Sequence, residues 1–170
     1  MKGLINIYIE KNTGKISILV YHVTTIGFSR SIGKIIDNIS NESLKETVIK
    51  CIKFSLAEYK SEDKENLDPF KLTKYKTWNR FFNMHYLIEV IYREELKEYE
   101  IAMPERDRTT KSFGNTVSGF EFKIKKEDFD SQFDGIIKKI LDNLEEYQSW
   151  FWYQKWLGIS DFRTEGVSLG

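Results

Sequence analysis

Residues 4–10 alternate, with Ile5, Ile7 and Ile9 on one side and Asn6, Tyr8 and Glu10 on the other. A period of two predicts a half-buried strand. Lys11-Asn12-Thr13-Gly14 follows as a turn in which Gly14 is free to take positive φ. Ile16, Ile18 and Val20 then continue in phase as a second strand, with β-branched residues running on to Ile26. Gly27 and Gly33 punctuate two shorter extended pieces, 24–29 and 34–37. At Ser40 the period changes. Ser40 suits an N-cap, Glu42 suits the positive end of a helix, and Leu44, Val48, Cys51 and Ile52 recur at helical spacing. A helix over about 41–58 is expected.

Residues 60–76 are mostly charged and contain Pro69, the composition of a connector. Beyond it, Thr77-Trp78-Asn79-Arg80-Phe81-Phe82 suggests one helical turn. Tyr86, Ile88, Val90 and Tyr92 share a face of a strand over about 84–93, and residues 93–97 turn the chain into a strand carrying Tyr99, Ile101 and Met103. Pro104 is expected to stop that strand, and 105–116 reads as a polar loop. Phe120, Phe122 and Ile124 fall in phase over 119–125. From about 127 a long helix carries Phe129, Phe133, Ile136, Ile137, Ile140, Leu144 and Tyr147 on one stripe.

The two helical stretches align at an offset of 85 positions (124 − 39): Val48 meets Phe133, Cys51 meets Ile136 and Ile52 meets Ile137. Each half then reads as antiparallel strands followed by a packing helix, an α+β arrangement with a pseudo-repeat as one explanation. The expected organisation is one domain over 1–170, with halves at about 1–59 and 77–148, the connector 60–76, and an aromatic C-terminal arm, 149–170.

A 170-residue chain, 41% hydrophobic and 15% aromatic, has ample material for a core. Its 26 basic and 26 acidic residues cancel, so no global field draws it to nucleic acid or an anionic membrane. One cysteine, Cys51, forms no internal disulfide. The first residues lack the apolar run of a signal peptide, and no stretch approaches 18 apolar residues. A cytoplasmic address is expected, with no membrane partner.

Reaction chemistry is sparse. One cysteine and two histidines 63 positions apart (85 − 22) do not make a zinc site, and neither Cys-x-x-Cys nor His-Glu-x-x-His occurs. No phosphate-binding glycine loop and no nucleophile elbow is present. No catalytic residue, metal or cofactor is therefore assigned. His22 and His85 read as satisfied histidines at strand ends, with an acid–base pair as the catalytic alternative, and Cys51 as packing on the first helix. Five rings within seven positions, Trp150 to Trp156, are either a core plug or partner anchors, with Trp152 and Trp156 as candidates; Trp78 and Phe81 share that ambiguity. Acidic candidates for a charged partner are Glu62, Asp63 and Glu65 in the connector, and Glu94, Glu95, Glu98 and Glu100 around the second hairpin. Arg106, Arg108 and Lys111 stand opposite in sign.

Gly27-Phe28-Ser29-Arg30-Ser31-Ile32-Gly33-Lys34 leading into 38–55, then Lys76-Thr77-Trp78, the hairpin, Gly119-Phe120-Glu121 and the final helix, resembles a family of bacterial contact-dependent growth inhibition immunity proteins. The resemblance covers about 5–147. The lysine-rich connector and the aromatic arm look longer than that pattern requires. It implies a cytoplasmic inhibitor whose partner is the toxic C-terminal domain delivered by neighbouring cells, commonly a nuclease, and it carries no catalytic residues. Two other readings stay open: a single-strand nucleic-acid binder of whirly-like layout, disfavoured by the neutral charge, and a small hydrolase using His22 or His85. Edge-strand pairing into a homodimer is also left open.

Overall fold

The computed structural model describes residues 1–23, 29–57, 74–107, 110, 112–145 and 148. Strands β1 (Lys2–Glu10), β2 (Ile16–Val23) and β3 (Ser29–Ile39) precede helix α1 (Asn41–Leu56). A short helix α2 (Trp78–Met84) leads into β4 (His85–Arg93), β5 (Glu98–Asp107) and β6 (Ser112–Lys125). A 3-10 turn, Lys126–Asp128, then opens α3 (Phe129–Leu141). The strands form one antiparallel sheet in the order β3-β2-β1-β4-β5-β6. The fold is α+β, with strand-rich halves each followed by a helix.

Caps and turns have local causes. The Ser40 hydroxyl accepts from Ser43 N–H at 3.3 Å, and the Thr77 hydroxyl accepts from Arg80 N–H at 3.3 Å, each satisfying a donor that the first helical turn leaves over. Gly14, at φ +67°, closes the β1–β2 turn with its N–H on the Glu10 carbonyl at 2.8 Å.

Alternation decides the layers. The isoleucines of β1 pack with Ile16, Ile18, Val20, Ile88, Val90, Tyr92, Tyr99 and Ile101 beneath α1 and α3, whose buried stripes include Val48 and Ile52, and Phe133 and Ile137. Gly3 lets α1 come close: a Cβ there would lie 3.3 Å from Ile52 and Leu56. Ser55, buried on the same helix, accepts from Leu4 N–H at 2.8 Å and donates to the Tyr21 carbonyl, fastening α1 to two strands. On the other face Tyr8, Leu19 and Leu87 meet Tyr75 and Phe81 in a smaller core.

The two halves are related by a pseudo-two-fold axis through the sheet centre. Ile5 pairs with Val90 across β1 and β4, a separation of 85 (90 − 5). Moving α1 by the same 85 positions gives 126–141, the span of the 3-10 turn and α3 together. The hairpins break the symmetry, since five residues separate β1 from β2 and four separate β4 from β5.

Several expectations are corrected. The extended pieces at 24–29 and 34–37 give way to one strand from Ser29, with residues 24–28 outside the described set. Helix α1 ends at Leu56, and the turn at Trp78 extends to a helix of seven residues. Pro104 does not stop β5, which runs to Asp107, and the expected polar loop is strand from Ser112. Proline is tolerated because β4 pairs with β5 only from Glu89 to Arg93 and has separated before Pro104. Lys74 and Tyr75, assigned to the connector, are docked on the sheet as described below.

Candidate functional site: the charged hairpin and the buried polar cluster

The hairpin of β4 and β5 stands on a lattice of charges on the face opposite α1 and α3. Cross-strand register lines up Lys2, Arg93, Glu98 and Lys125 in one row, and Leu4, Ile91, Glu100 and Lys123 in the next. Arg93 donates to Glu100 at 2.9 Å, and Lys125 pairs with Glu98 at 3.1 Å. Glu98 and Glu100 are therefore tied into the sheet, their side chains 16% exposed. Of the acidic candidates around this hairpin, these two have bases from β4 and β6 brought beside them by strand pairing. Such partly exposed pairs contribute about 0.2–1 kcal/mol each and mainly fix register.

Glu94 and Glu95 behave differently. They occupy the turn with Leu96 and Lys97 and are exposed. Their nearest cation is the Met1 amine, 3.6 Å from Glu94 and hydrogen-bonded to Glu95. That contact lowers the Glu95 carboxyl below its ordinary value, through the hydrogen bond first. Leu96 is 56% exposed at the tip.

In the next row Asn6 faces Glu89. The Asn6 side-chain amide donates to the Tyr8 and Tyr21 hydroxyls at 3.2 Å. Burial raises the Glu89 carboxyl, with Lys2 opposing and Glu100 adding to the shift.

At the far end of the sheet three buried side chains with polar groups, Glu10, Tyr75 and His85, come together. Glu10, 4% exposed, accepts from Thr13 at 2.7 Å and from the Tyr75 hydroxyl, and pairs with Lys74 at 2.6 Å. These partners, Lys74 first, hold its carboxyl at about 2; burial, and then Glu10 itself, push Tyr75 up to about 12. His85 sits opposite Glu10 in the β1–β4 register, stacked on Phe81 with its Nδ1 2.8 Å from the Phe81 carbonyl. Burial lowers its pKa, favouring the neutral ring.

The fully buried Arg106 lies over the Phe82 ring and donates to the Phe82 and His85 carbonyls, the latter at 3.3 Å. Gln148 fills the gap where β5 leaves β4. Its amide accepts from Leu87 N–H at 3.0 Å and donates to the Leu87 and Pro104 carbonyls at 2.8 and 3.2 Å, standing in for a missing strand. Neither role was anticipated from the sequence, where Arg106 reads as a basic loop residue and Gln148 was not singled out. The only advance signal was Pro104, which marks where ladder bonds must be replaced.

The histidines do not meet. His22 pairs with Gly3 and is half-buried, whereas His85 pairs with Glu10, seven residues along β1, or roughly 24 Å of strand. They also point to opposite faces. The acid–base pair of the hydrolase reading is thus excluded by geometry. Cys51 is buried on α1, and Trp78 and Phe81 pack in the smaller core. Glu62, Asp63, Glu65, Trp152, Trp156, Arg108 and Lys111 lie outside the described residues.

Among the described residues no three His, Cys, Asp or Glu side chains are placed to hold a metal, and no helix is long and apolar enough to cross a membrane. A cleft of about 440 Å³ between the β1–β2 turn and the end of α3 is lined by Ile9, Lys11, Tyr86, Leu141, Leu144 and Glu145 among others.

No family model matches the chain, and no curated protein matches it. Among solved structures it is similar to a protein of unknown function from Neisseria meningitidis, at 12% identity and TM-score 0.55, covering 81% of this chain and 92% of that one. At that identity the likeness concerns the fold alone.

Proposed function

We propose that this protein is an immunity protein that binds and neutralises the toxin domain of a contact-dependent growth inhibition system, a nuclease, in the cytoplasm. The observation that carries the reading is how the fold uses its reactive groups. Glu10 is saturated by Thr13, Lys74 and Tyr75, and His85 is buried against Phe81, at the opposite end of the sheet from His22. A hydrolase would need such groups within reach of a substrate and of each other. They are instead committed to packing, and among the described residues a charged hairpin turn is exposed at one end of the sheet. The resemblance over about 5–147 supports the same reading.

A nuclease surface faces phosphates and is commonly basic, so exposed Glu94 and Glu95 suit it electrostatically. Protection against a few toxin molecules needs about nanomolar affinity, roughly −12 kcal/mol, which an interface near 1,600 Å² supplies. The test is co-expression with the toxin domain encoded immediately upstream. Toxicity should vanish and the two proteins should co-purify; unrelieved toxicity with no complex overturns the proposal. Titration with single-stranded oligonucleotides provides the opposing arm, where micromolar, steeply salt-dependent binding would favour nucleic-acid recognition instead.

A further inference from the structure

Three large hydrophobic side chains are exposed among the described residues: Met1 at 63%, Leu96 at 56% and Phe54 at 44%. All three fall at one end of the molecule. Glu94 N–H donates to the Met1 carbonyl at 3.0 Å, which sets Met1 beside the turn holding Leu96. Ser55, next to Phe54, is bonded to Leu4 at the same end of β1. Leu96 sits at the tip of a four-residue turn whose strands are locked by the Arg93–Glu100 and Lys125–Glu98 pairs. Lys97 holds positive φ there, and its carbonyl accepts from Lys126 N–H at 2.8 Å, joining the turn to the start of α3. The tip is therefore fixed in place. Exposed carboxylates flank it on two sides, Glu94 and Glu95 in the turn and Glu127 and Asp128 beyond Lys126, with Lys97 and Lys126 between them.

We infer that this hairpin tip is the docking anchor: Leu96 enters an apolar pocket on a protein partner, and Glu94 and Glu95 meet basic residues at the pocket rim. This inference rests on the proposed function and identifies the contact surface and the chemistry of the partner site. An apolar side chain held rigidly within a charged ring has the composition of an interface hot spot, because little conformational freedom is lost on docking and the surrounding groups exclude water. Four acidic groups against two lysines and the Met1 amine leave the rim slightly negative, which selects a basic surface over another neutral chain.

The probe is the purified toxin domain encoded upstream, measured by surface plasmon resonance against the full chain. Leu96→Asp should weaken binding at least about tenfold, mainly through faster dissociation. The double variant Glu94→Gln/Glu95→Gln should slow association at low salt, with the difference shrinking as salt rises. Asn12→Asp, in the β1–β2 turn at the opposite end, should bind as the wild type does. All four substituted positions are exposed, so near-ultraviolet circular dichroism should confirm that each variant stays folded. A complex that forms normally with Leu96→Asp overturns the assignment of this surface while leaving the immunity function standing. Failure of the wild-type chain to bind the toxin domain removes both.

Discussion

Glu10 holds three partners at once, and this makes it the main acid-sensitive group in the described structure. Its folded pKa of about 2 lies below the ordinary 4.5, so its contribution is complete above about pH 5 and is lost as pH falls toward 2. The difference corresponds to about 3 kcal/mol. Glu10→Gln should therefore destabilise the protein by a few kcal/mol at pH 7 and flatten the acid limb of a urea-midpoint profile; an unchanged acid limb would show that other carboxylates govern it. His85 acts in the same direction at higher pH. Burial lowers its folded pKa beneath 6.5, so the unfolded chain takes up the proton first and stability declines as pH drops below about 6.5. His85→Gln should remove that part of the decline. Gln148→Leu strands the Leu87 N–H and the Leu87 and Pro104 carbonyls, and should cost about 2–4 kcal/mol by denaturant unfolding.

At the scale of elements, the β4–β5 turn carries its own strain. Lys97 adopts φ 49°, in a region where a residue with a Cβ costs about 1 kcal/mol more than glycine. Lys97→Gly should raise the thermal midpoint slightly, by a few degrees at most given the opposing entropy of the unfolded chain. A large fall would mean that the Lys97 side chain, and not its backbone, holds the turn. The separation of β5 from β4 is the other element-scale feature. Sequence patterning locates both strands, because Ile88, Val90 and Tyr92 alternate against Tyr99, Ile101 and Met103. It gives no account of the continuation through Pro104, since the ladder bond that proline cannot make is replaced by the side chain of Gln148, 44 residues away, while Arg106, two residues beyond the proline, holds the His85 carbonyl.

Across the whole molecule, the pseudo-two-fold relation places the two helices side by side, and Lys45 of α1 reaches Asp134 of α3 at 3.2 Å. It also leaves β3 and β6 as the two edges of the sheet. The function proposed for this scaffold predicts a 1:1 complex with a toxin domain, stable to gel filtration. It also predicts that His22→Ala and His85→Gln variants that remain folded still protect cells, because neither ring is part of a reactive centre. Loss of protection by a folded, toxin-binding histidine variant would contradict it.

The amino-acid order by itself determined the α+β class, the strand and helix faces and the offset that relates the halves. Each of these follows from the periods of two and 3.6 along the chain, which record which face is buried. Val48, Cys51 and Ile52 could be set against Phe133, Ile136 and Ile137 in the sequence for this reason. Only the tertiary structure decided which charges are tied into the sheet. Glu98 and Glu100 look like Glu94 and Glu95 in sequence, but cross-strand register gives the first pair Lys125 and Arg93 and leaves the second pair at an exposed tip. Pairing between strands joins residues with no local relation, so ion pairs, the clustering of Glu10, Tyr75 and His85, and the separation of the two histidines were settled by folding.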